Sequence, residues 1–292
     1  MKNQILILAM LLAGGTAHAV EISGVITRTL SISEDSWLTG NVTCRVEQAP
    51  CISVTASNLT IWLNGFTITG QGDPTAGCLP GGAGTNIEHA ISIAGQRRVE
   101  VFGPGLIQRH RGWGVVLSAG TVRTTLKDLT LSSNCISGIQ LIGGASDNDL
   151  EGIVSVRNGS DDSASPCGGI CLSNSNNNRI RRNILSGNGY AVMNVVNFGV
   201  ALLGTSRGNV IVDNVLTGNV NGVYLTVNTR ENLVHRNVIT GNPPIEIPRS
   251  AQEFQGFDIR NNAPEDTNTF LDNVCLSYSG AGRSPCPSLI RP

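Results

Sequence analysis

The fold is decided by the segment Asn209-Val-Ile-Val-Asp-Asn214-Val-Leu-Thr-Gly218-Asn219, because two further segments superpose on it without gaps. Each copy has asparagine at its first, sixth and last positions and apolar residues between them. Self-similarity of this kind is the signature of a repeat architecture. The other two copies are Asn178-Arg-Ile-Arg-Arg-Asn183-Ile-Leu-Ser-Gly187-Asn188 and Asn232-Leu-Val-His-Arg-Asn237-Val-Ile-Thr-Gly241-Asn242.

A second motif, an apolar–x–apolar triplet that often follows glycine, precedes each copy. At their closest, successive triplets start 23 or 24 residues apart. We interpret this step as one coil of a solenoid, and longer steps as coils that carry an insertion. The triplets are Ile52-Ser-Val54, Ile91-Ser-Ile93, Val115-Val-Leu117, Ile139-Gln-Leu141, Ile170-Cys-Leu172, Val200-Ala-Leu202, Val223-Tyr-Leu225 and Phe257-Asp-Ile259.

A coil of three short strands separated by turns cannot bury its apolar side alone. Stacked coils pair as parallel strands ~4.8 Å apart, and their Ile, Leu and Val residues then form buried columns. The sequence therefore predicts an all-β chain, a single-stranded right-handed parallel β-helix of about eight coils. Asn183, Asn214, Asn237 and Asn273 are expected in turns, where asparagine tolerates unusual backbone angles and its amide can bond up and down the stack.

The repeat, together with the phrase Ile61-Trp-Leu-Asn64-Gly65-Phe-Thr-Ile68-Thr-Gly70, resembles the pectate-lyase-like superfamily of right-handed β-helices. In style it is most similar to the exported proteins grouped with the β-helix domain of the nitrous-oxidase accessory protein. The resemblance covers about residues 50–276. It is specific for the fold, since the repeated residues are core and turn positions.

The N-terminus has the pattern of a cleavable signal peptide. Lys2 precedes an apolar run from Ile5 to Leu12, and Ala17-His18-Ala19 places small residues before a cut after Ala19. That run is shorter than the ~20 residues of a membrane-spanning helix. We expect a signal peptide at 1–19 and one periplasmic or secreted domain at 20–292, with a cap at 20–50, coils at 51–276 and a tail at 277–292.

The charge balance argues against a nucleic-acid ligand. The chain has 20 basic and 21 acidic residues, and removal of Lys2 leaves 19 basic residues. Nucleic-acid binding needs clustered Lys and Arg to neutralise phosphates. We also expect no membrane insertion, no cofactor and no metal site; the sequence leaves the oligomeric state open.

Eight cysteines in an exported chain predict disulfides. Cys44 with Cys51, and Cys275 with Cys286, are close pairs near the two ends, and we expect both to be bridged. The sequence does not determine the partners of Cys78, Cys135, Cys167 and Cys171. A zinc site at Cys167 and Cys171 is the competing interpretation, but no second pair of ligands accompanies it.

The extra length of the long coils lies almost wholly before the triplets, at about 71–88, 159–168, 189–198 and 243–255. Insertions that recur at one corner of a solenoid favour a binding cleft beside one sheet, whereas neutral drift would scatter them. The middle residues of the triplets point outward, and Gln140 and Tyr224 are candidate substrate-binding residues among them. Glu88, Arg109, His110 and Trp113 are further candidates at the rim.

The candidate catalytic residues are His89, Arg111, Asp161 and Asp162. Glu88-His89-Ala90 is similar to the Gly-His-Gly stretch of polygalacturonases, and carboxylates or a base beside a cation serve polysaccharide cleavage. The rim positions on neighbouring coils, where those enzymes carry aspartates, hold Trp113, Ser137 and Gly168 here. Asp161 and Asp162 lie several residues away in an inserted loop.

Two classes of function remain open on the sequence alone. The first is an exported protein that binds or processes an extended polysaccharide along one sheet face, with lyase, hydrolase or epimerase chemistry if it is an enzyme. The second is a non-enzymatic accessory, binding or surface-structural protein. The accessory-protein resemblance implies copper delivery, but Met193 and three scattered histidines are a poor ligand set for copper(I).

Overall fold

Successive coils of the chain stack as parallel β-strands in the computed structural model, which describes residues 19–73, 78, 87–159, 167–189, 198–242 and 256–286. These residues form two sheets and contain no α-helix. Strands of neighbouring coils pair in parallel throughout both sheets. The prediction of an all-β parallel β-helix is therefore confirmed.

One sheet has ten strands, with each strand paired to its equivalent in the next coil. It is called the ten-stranded sheet below. Its strands are β2 (Leu30–Ile32), β4 (Ile52–Val54), β7 (Ile91–Ala94), β10 (Trp113–Ser118), β13 (Ser137–Ile142), β16 (Ile170–Ser173), β19 (Phe198–Leu203), β22 (Asn221–Leu225), β25 (Ile259–Asn261) and β28 (Tyr278–Gly280).

The other sheet has eighteen strands in two columns, and β1 (Val20–Ile26) and β3 (Ser36–Cys44) are long enough to span both. The first column continues with β5 (Leu59–Trp62), β8 (Val99–Phe102), β11 (Thr125–Lys127), β14 (Asp149–Glu151), β17 (Arg179–Arg181), β20 (Val210–Val212), β23 (Leu233–His235) and β26 (Thr269–Leu271). The second contains β6 (Thr67–Thr69), β9 (Leu106–Gln108), β12 (Thr130–Ser132), β15 (Val154–Val156), β18 (Ile184–Ser186), β21 (Val215–Thr217), β24 (Val238–Thr240) and β27 (Val274–Cys275).

The triplets from Ile52 to Leu225 coincide with strands of the ten-stranded sheet, as predicted. The last triplet is wrong by two residues. Ile259 pairs with Val223 and Arg260 with Tyr224, so the strand runs Ile259–Asn261, and Asp258 is buried instead of pointing outward. Phe257 and Ile259 flank Asp258 and so match the apolar–x–apolar motif, whereas the true strand ends on the polar residue Asn261.

Both ends of the solenoid carry sheet strands. Residues 20–50, predicted as a cap, contain β1, β2 and β3, which pair in parallel with strands of the following coils. Within the predicted tail, β28 pairs with β25. The parallel stacking therefore begins at Val20 and extends to Gly280.

The interior consists of apolar columns that run the length of the stack. Each inward position repeats from coil to coil in register, so the side chains pack directly on one another. The first-column strands contribute Ile61, Val101, Leu126, Leu150, Ile180, Ile211 and Val234, all fully buried.

Three asparagine ladders join the coils at their corners. In each ladder the backbone N–H and the side-chain Nδ2 of one asparagine donate to Oδ1 of the next, as from Asn183 to Asn214 at 2.9 Å each. Nδ2 also donates to a backbone carbonyl of the preceding coil, here Leu150. The predicted column Asn183–Asn214–Asn237–Asn273 is confirmed. The others are Asn148–Asn178–Asn209–Asn232–Asn268 and Asn134–Asn158–Asn188–Asn219–Asn242.

The residue before almost every ladder asparagine has a left-handed backbone. Arg182 before Asn183 has φ 55°, and Gly187 before Asn188 has φ 61°. This conformation turns the chain sharply at each corner, and glycine or polar residues supply it at lowest cost. Left-handed corners and asparagine ladders thus occupy the same sites.

All eight cysteines form disulfides. The predicted bridges Cys44–Cys51 and Cys275–Cys286 are confirmed. The remaining pairs are Cys78–Cys135 and Cys167–Cys171, so these cysteines are not arranged as zinc ligands. Four disulfides are typical of proteins in the periplasm or outside the cell.

Candidate binding surface

The outward row of the ten-stranded sheet contains the middle residue of each strand. The row is buried in its middle, where Gln140 is 4 % exposed, and it is half-buried or exposed towards both ends. A surface ligand therefore meets this row at two separated places. In register, the row reads Ser31, Ser53, Ser92, Val116, Gln140, Cys171, Ala201, Tyr224, Arg260 and Ser279.

The C-terminal part of this face is built around Tyr224. Its ring stacks on that of Phe198, with centroids 4.4 Å apart and planes 6° from parallel. The guanidinium carbon of Arg260, one coil further, lies 5.8 Å from the Tyr224 ring centroid. Asn262 donates to the Tyr224 hydroxyl at 3.2 Å. We call Phe198, Tyr224, Arg260 and Asn262 the tyrosine cluster.

Arg260 has no carboxylate partner among the residues that the structure describes. Its Nε is buried without a hydrogen bond, and the guanidinium forms no ion pair with the acidic side chains that the structure describes. Cation–π contact with Tyr224 orients the group. A planar guanidinium that is held in place by an aromatic ring and has no described ion pair is suited to bidentate recognition of a carboxylate ligand.

At the N-terminal part of the face, the buried Glu88 forms an ion pair with the half-buried Arg111. Arg111 Nη1 lies 3.2 Å from Glu88 Oε2, and the backbone N–H of Gln48 donates to Glu88 Oε1 at 3.0 Å. The Glu88 carbonyl accepts the Gly112 N–H from the next coil. The pair therefore ties the N-terminal segment to the stack.

His89 packs against the half-buried Trp113, with ring centroids 4.7 Å apart. Its Nδ1 accepts the Trp113 backbone N–H at 3.4 Å. Burial, followed by the neighbouring His110, lowers the pKa of His89 to about 3. The imidazole is therefore neutral at physiological pH, with its second nitrogen protonated.

His110 occupies a ladder position. Arg109 before it has the left-handed φ of 57°, and the His110 N–H donates to Asn134 Oδ1. Asn134 Nδ2 donates to the Ile107 carbonyl, and the ring of His110 contacts the equivalent carbonyl of Ile68 one coil earlier. Burial lowers the pKa of His110 to about 4.

A cavity of about 10 Å³ lies between His89, His110, Arg111 and the Cys44–Cys51 disulfide. Such a volume holds about one water molecule. A sugar ring therefore does not fit between these side chains. Arg109 is more exposed; its Nε donates to the Gly72 carbonyl at 3.1 Å and its Nη2 lies 3.8 Å from Asp73.

Comparison with known proteins places this architecture in a family. A family model described as "Right handed beta helix region" matches residues 113–283. The chain belongs to this right-handed β-helix family. A search among curated proteins finds no match. The predicted similarity to the β-helix domain of the nitrous-oxidase accessory protein stays a prediction.

Solved structures share the fold at low sequence identity. The enzymatically active domain of tailspike protein 2 of bacteriophage CBA120 matches with TM-score 0.58 and 11% identity, over 88% of this chain and 42% of that one. An alginate lyase of Paenibacillus sp. str. FPU-7 matches with TM-score 0.50 and 13% identity, over 86% and 99%. A variant of a periplasmic alginate epimerase matches with TM-score 0.56 and 15% identity, over 90% and 62%. This right-handed β-helix spans about two fifths of the tailspike domain, and these likenesses establish the fold alone.

Several predicted elements lie outside the described residues of this right-handed β-helix. Asp161 and Asp162 are among them, as is most of the inserted length expected to wall a cleft. Among the residues that are described, no group of three or more His, Cys, Asp or Glu side chains is arranged to hold a metal ion. Nor does this part of the β-helix include a helix able to cross a membrane.

The structure joins some predicted site residues and separates others. Glu88, His89, His110, Arg111 and Trp113 form one cluster, whereas Tyr224 lies four strands away in the tyrosine cluster. Arg260 is not among the predicted site residues, because the predicted triplet Phe257-Asp-Ile259 starts two residues before the true strand. No apolar signal marks its strand, since Ile259 is followed by Arg260 and Asn261.

Proposed function

We propose that this protein binds a uronic-acid polysaccharide across the outer face of its ten-stranded sheet. The observation that carries the proposal is the guanidinium of Arg260, which lies over the Tyr224 ring and pairs with none of the carboxylates that the structure describes. Aromatic rings present flat amphipathic surfaces that suit sugar rings. The guanidinium adjoining such a ring would receive the sugar carboxylate.

An extended ligand accounts for the second exposed place on the face. Ser92, the half-buried residue of the row that precedes its buried middle, lies five strand spacings from Tyr224. With ~4.8 Å per spacing, the two side chains are roughly 24 Å apart along the stack. A compact metabolite does not bridge that distance, whereas a polymer does.

The solved neighbours support this choice of ligand. Two of them are an alginate lyase and an alginate epimerase, and alginate is a polymer of uronic acids. The same fold thus presents surfaces for such polymers in other proteins. Disulfides agree with a site of action in the periplasm or outside the cell, and we include removal of residues 1–19 on export in the proposal.

We assign binding instead of cleavage to the described part of this face. Arg111 is committed to Glu88, His89 accepts the Trp113 N–H, and their cavity has no room for a sugar. The catalytic set His89, Arg111, Asp161 and Asp162 stays a prediction. Formation of cleaved or epimerised products from alginate, abolished by His89→Ala or Asp162→Ala, would replace binding with catalysis.

The direct test compares Arg260→Gln with Arg179→Gln. Arg179 is an exposed arginine on the other sheet that also lacks a described ion pair, so it controls for loss of one positive charge. Hydrogen bonds to charged groups contribute ~1.5–3 kcal/mol. Affinity for polymannuronate and polygalacturonate, measured by affinity electrophoresis and calorimetry, should fall roughly tenfold to a hundredfold in Arg260→Gln.

The control variant should bind as the wild type does, apart from a small non-specific effect that added salt removes. Failure of the wild type to bind any polyuronate would refute the function itself. Equal losses in both variants would instead show that only net charge matters, and Arg260 would lose its assigned role.

A further inference from the structure

A row of three aromatic side chains lies on the other sheet, outside the proposed polysaccharide face. Trp37 on β3 pairs with Trp62 on β5, and Trp62 pairs with Phe102 on β8. All three occupy outward positions and are half-buried. Neighbouring strands are ~4.8 Å apart, so the row extends for roughly 10 Å along the stack. We call it the aromatic row.

Polar side chains run beside the aromatic row. Thr60 and Glu100 precede Trp62 and Phe102 by two residues and therefore share their face. The Thr60 hydroxyl donates to Glu100 Oε2 at 3.4 Å, and the Thr60 N–H donates to Asp35 Oδ1 at 2.7 Å. Flat apolar rings thus adjoin hydroxyl and carboxylate groups over the same length.

The charges at the borders of the row disfavour an acidic ligand. Glu21 is in register with Trp37 at one end. Lys127 is in register with Phe102 at the other end, and its ammonium lies 3.8 Å from Glu151. Glu100 and Asp35 add acceptors along the side and form no ion pair among the residues that the structure describes, so a uronate would face like charge.

We propose that the aromatic row binds a neutral carbohydrate chain lying along the stack. Sugar rings would pack on Trp37, Trp62 and Phe102, while their hydroxyls donate to Asp35 and Glu100. The alternative, a protein interface, fits less well because charged residues are depleted in interface cores. The row and the tyrosine cluster would then be two surfaces with opposite preferences, one for neutral and one for acidic polymers.

Intrinsic fluorescence gives a selective test, because the chain has three tryptophans and two of them belong to the row. In the Trp113→Phe variant, only Trp37 and Trp62 emit. Titration with soluble cello-, chito-, xylo- and malto-oligosaccharides should change this emission for at least one series. Retention on the matching polymer should fall roughly tenfold in Trp62→Ala and measurably in Glu100→Gln.

Two further variants keep the test decisive if Trp62→Ala fails to fold. Trp62→Phe retains an aromatic ring and should keep most of the affinity, and Lys127→Ala, next in the column, should keep all of it. Binding of polyuronates through Arg260 should be unchanged in Trp62→Ala, Trp62→Phe and Lys127→Ala, so the outcome for the aromatic row is independent of the outcome for the proposed function.

Three results would overturn the inference. One is the absence of any fluorescence or retention response to neutral carbohydrates. Another is a Trp62→Ala protein that binds them as tightly as its parent. The third is a wild-type oligomer that dissociates in Trp62→Ala, since the row would then be an interface between copies of the chain.

Discussion

The corners of the C-terminal coils are uniform, whereas those of the N-terminal coils are not. From Asn134 to Asn273, asparagine ladders satisfy the buried backbone groups at most corners. Before Asn134, the same positions hold His110 and Thr124. The left-handed corner geometry is common to both regions, so it does not depend on asparagine. What differs is how each region responds to loss of a side chain or to a change of pH.

The largest effect is expected from breaking a ladder in its middle. Asn214→Ala removes the acceptor of the Asn183 N–H and the donor to the Ile180 carbonyl, both buried. An unsatisfied buried group costs ~1–3 kcal/mol, so the free energy of unfolding should fall by about 4 kcal/mol. Urea denaturation measures it, with the exposed Asn228→Ala as control. A loss below about 1 kcal/mol would show that the ladders are dispensable.

Acid should act mainly on the N-terminal region. Burial lowers the pKa of His89 to about 3 and of His110 to about 4, from 6.5 in the unfolded chain. The unfolded state therefore binds protons first as the pH falls. Stability is complete above about pH 6.5 and declines below it, by about 2 kcal/mol per histidine at about pH 5.

Hydrogen exchange at the two ends of the stack would locate this loss. Amides of β7 and β9 should lose protection at about pH 5 before those of β20 and β21 do, because only the former region contains the buried histidines. Simultaneous loss in both regions would contradict the contrast between them.

The smallest expected change comes from converting one corner to the other type. His110→Asn places an amide where the ladder geometry already exists, with the Ile68 carbonyl as acceptor. At neutral pH the free energy of unfolding should stay within about 1 kcal/mol of wild type. The acid-induced loss should shrink by about half, since one of the two buried histidines is gone. An unchanged acid response would assign the sensitivity to other groups.

The fold was predictable because its determinants repeat. Every coil needs apolar residues at the same inward positions, and successive coils carry Asn183, Asn214 and Asn237 at the same corner. The spacing of one coil can therefore be read from the sequence. The terminal disulfides were predictable because their cysteines are close in sequence. Cys78 and Cys135 are 57 residues apart, and no sequence rule brings them together.

The surfaces were harder to predict because they depend on register and not on period. Arg260 reaches the outer row through a strand whose second inward position is Asn261, which no apolar pattern reveals. Trp37, Trp62 and Phe102 are separated by unequal stretches of chain, so their alignment emerges only when β3, β5 and β8 pair. The sequence predicts His110 as a substrate-binding residue because it is titratable, but its contacts with Asn134 and Ile68 are those of a ladder residue.

Asp258 shows how a one-way chain of amides can end. In the ladder from Asn134 to Asn242, each asparagine donates its backbone N–H and its Nδ2 to Oδ1 of the next, and Asn242 donates both to Asp258. The Asp258 carboxylate accepts two bonds from Asn242 and one each from the Leu276 and Ser277 N–H groups. Whole coils could thus be duplicated or deleted upstream without disturbing this terminator. The length of this ladder is therefore adjustable in units of one coil, provided that the carboxylate at its end is retained.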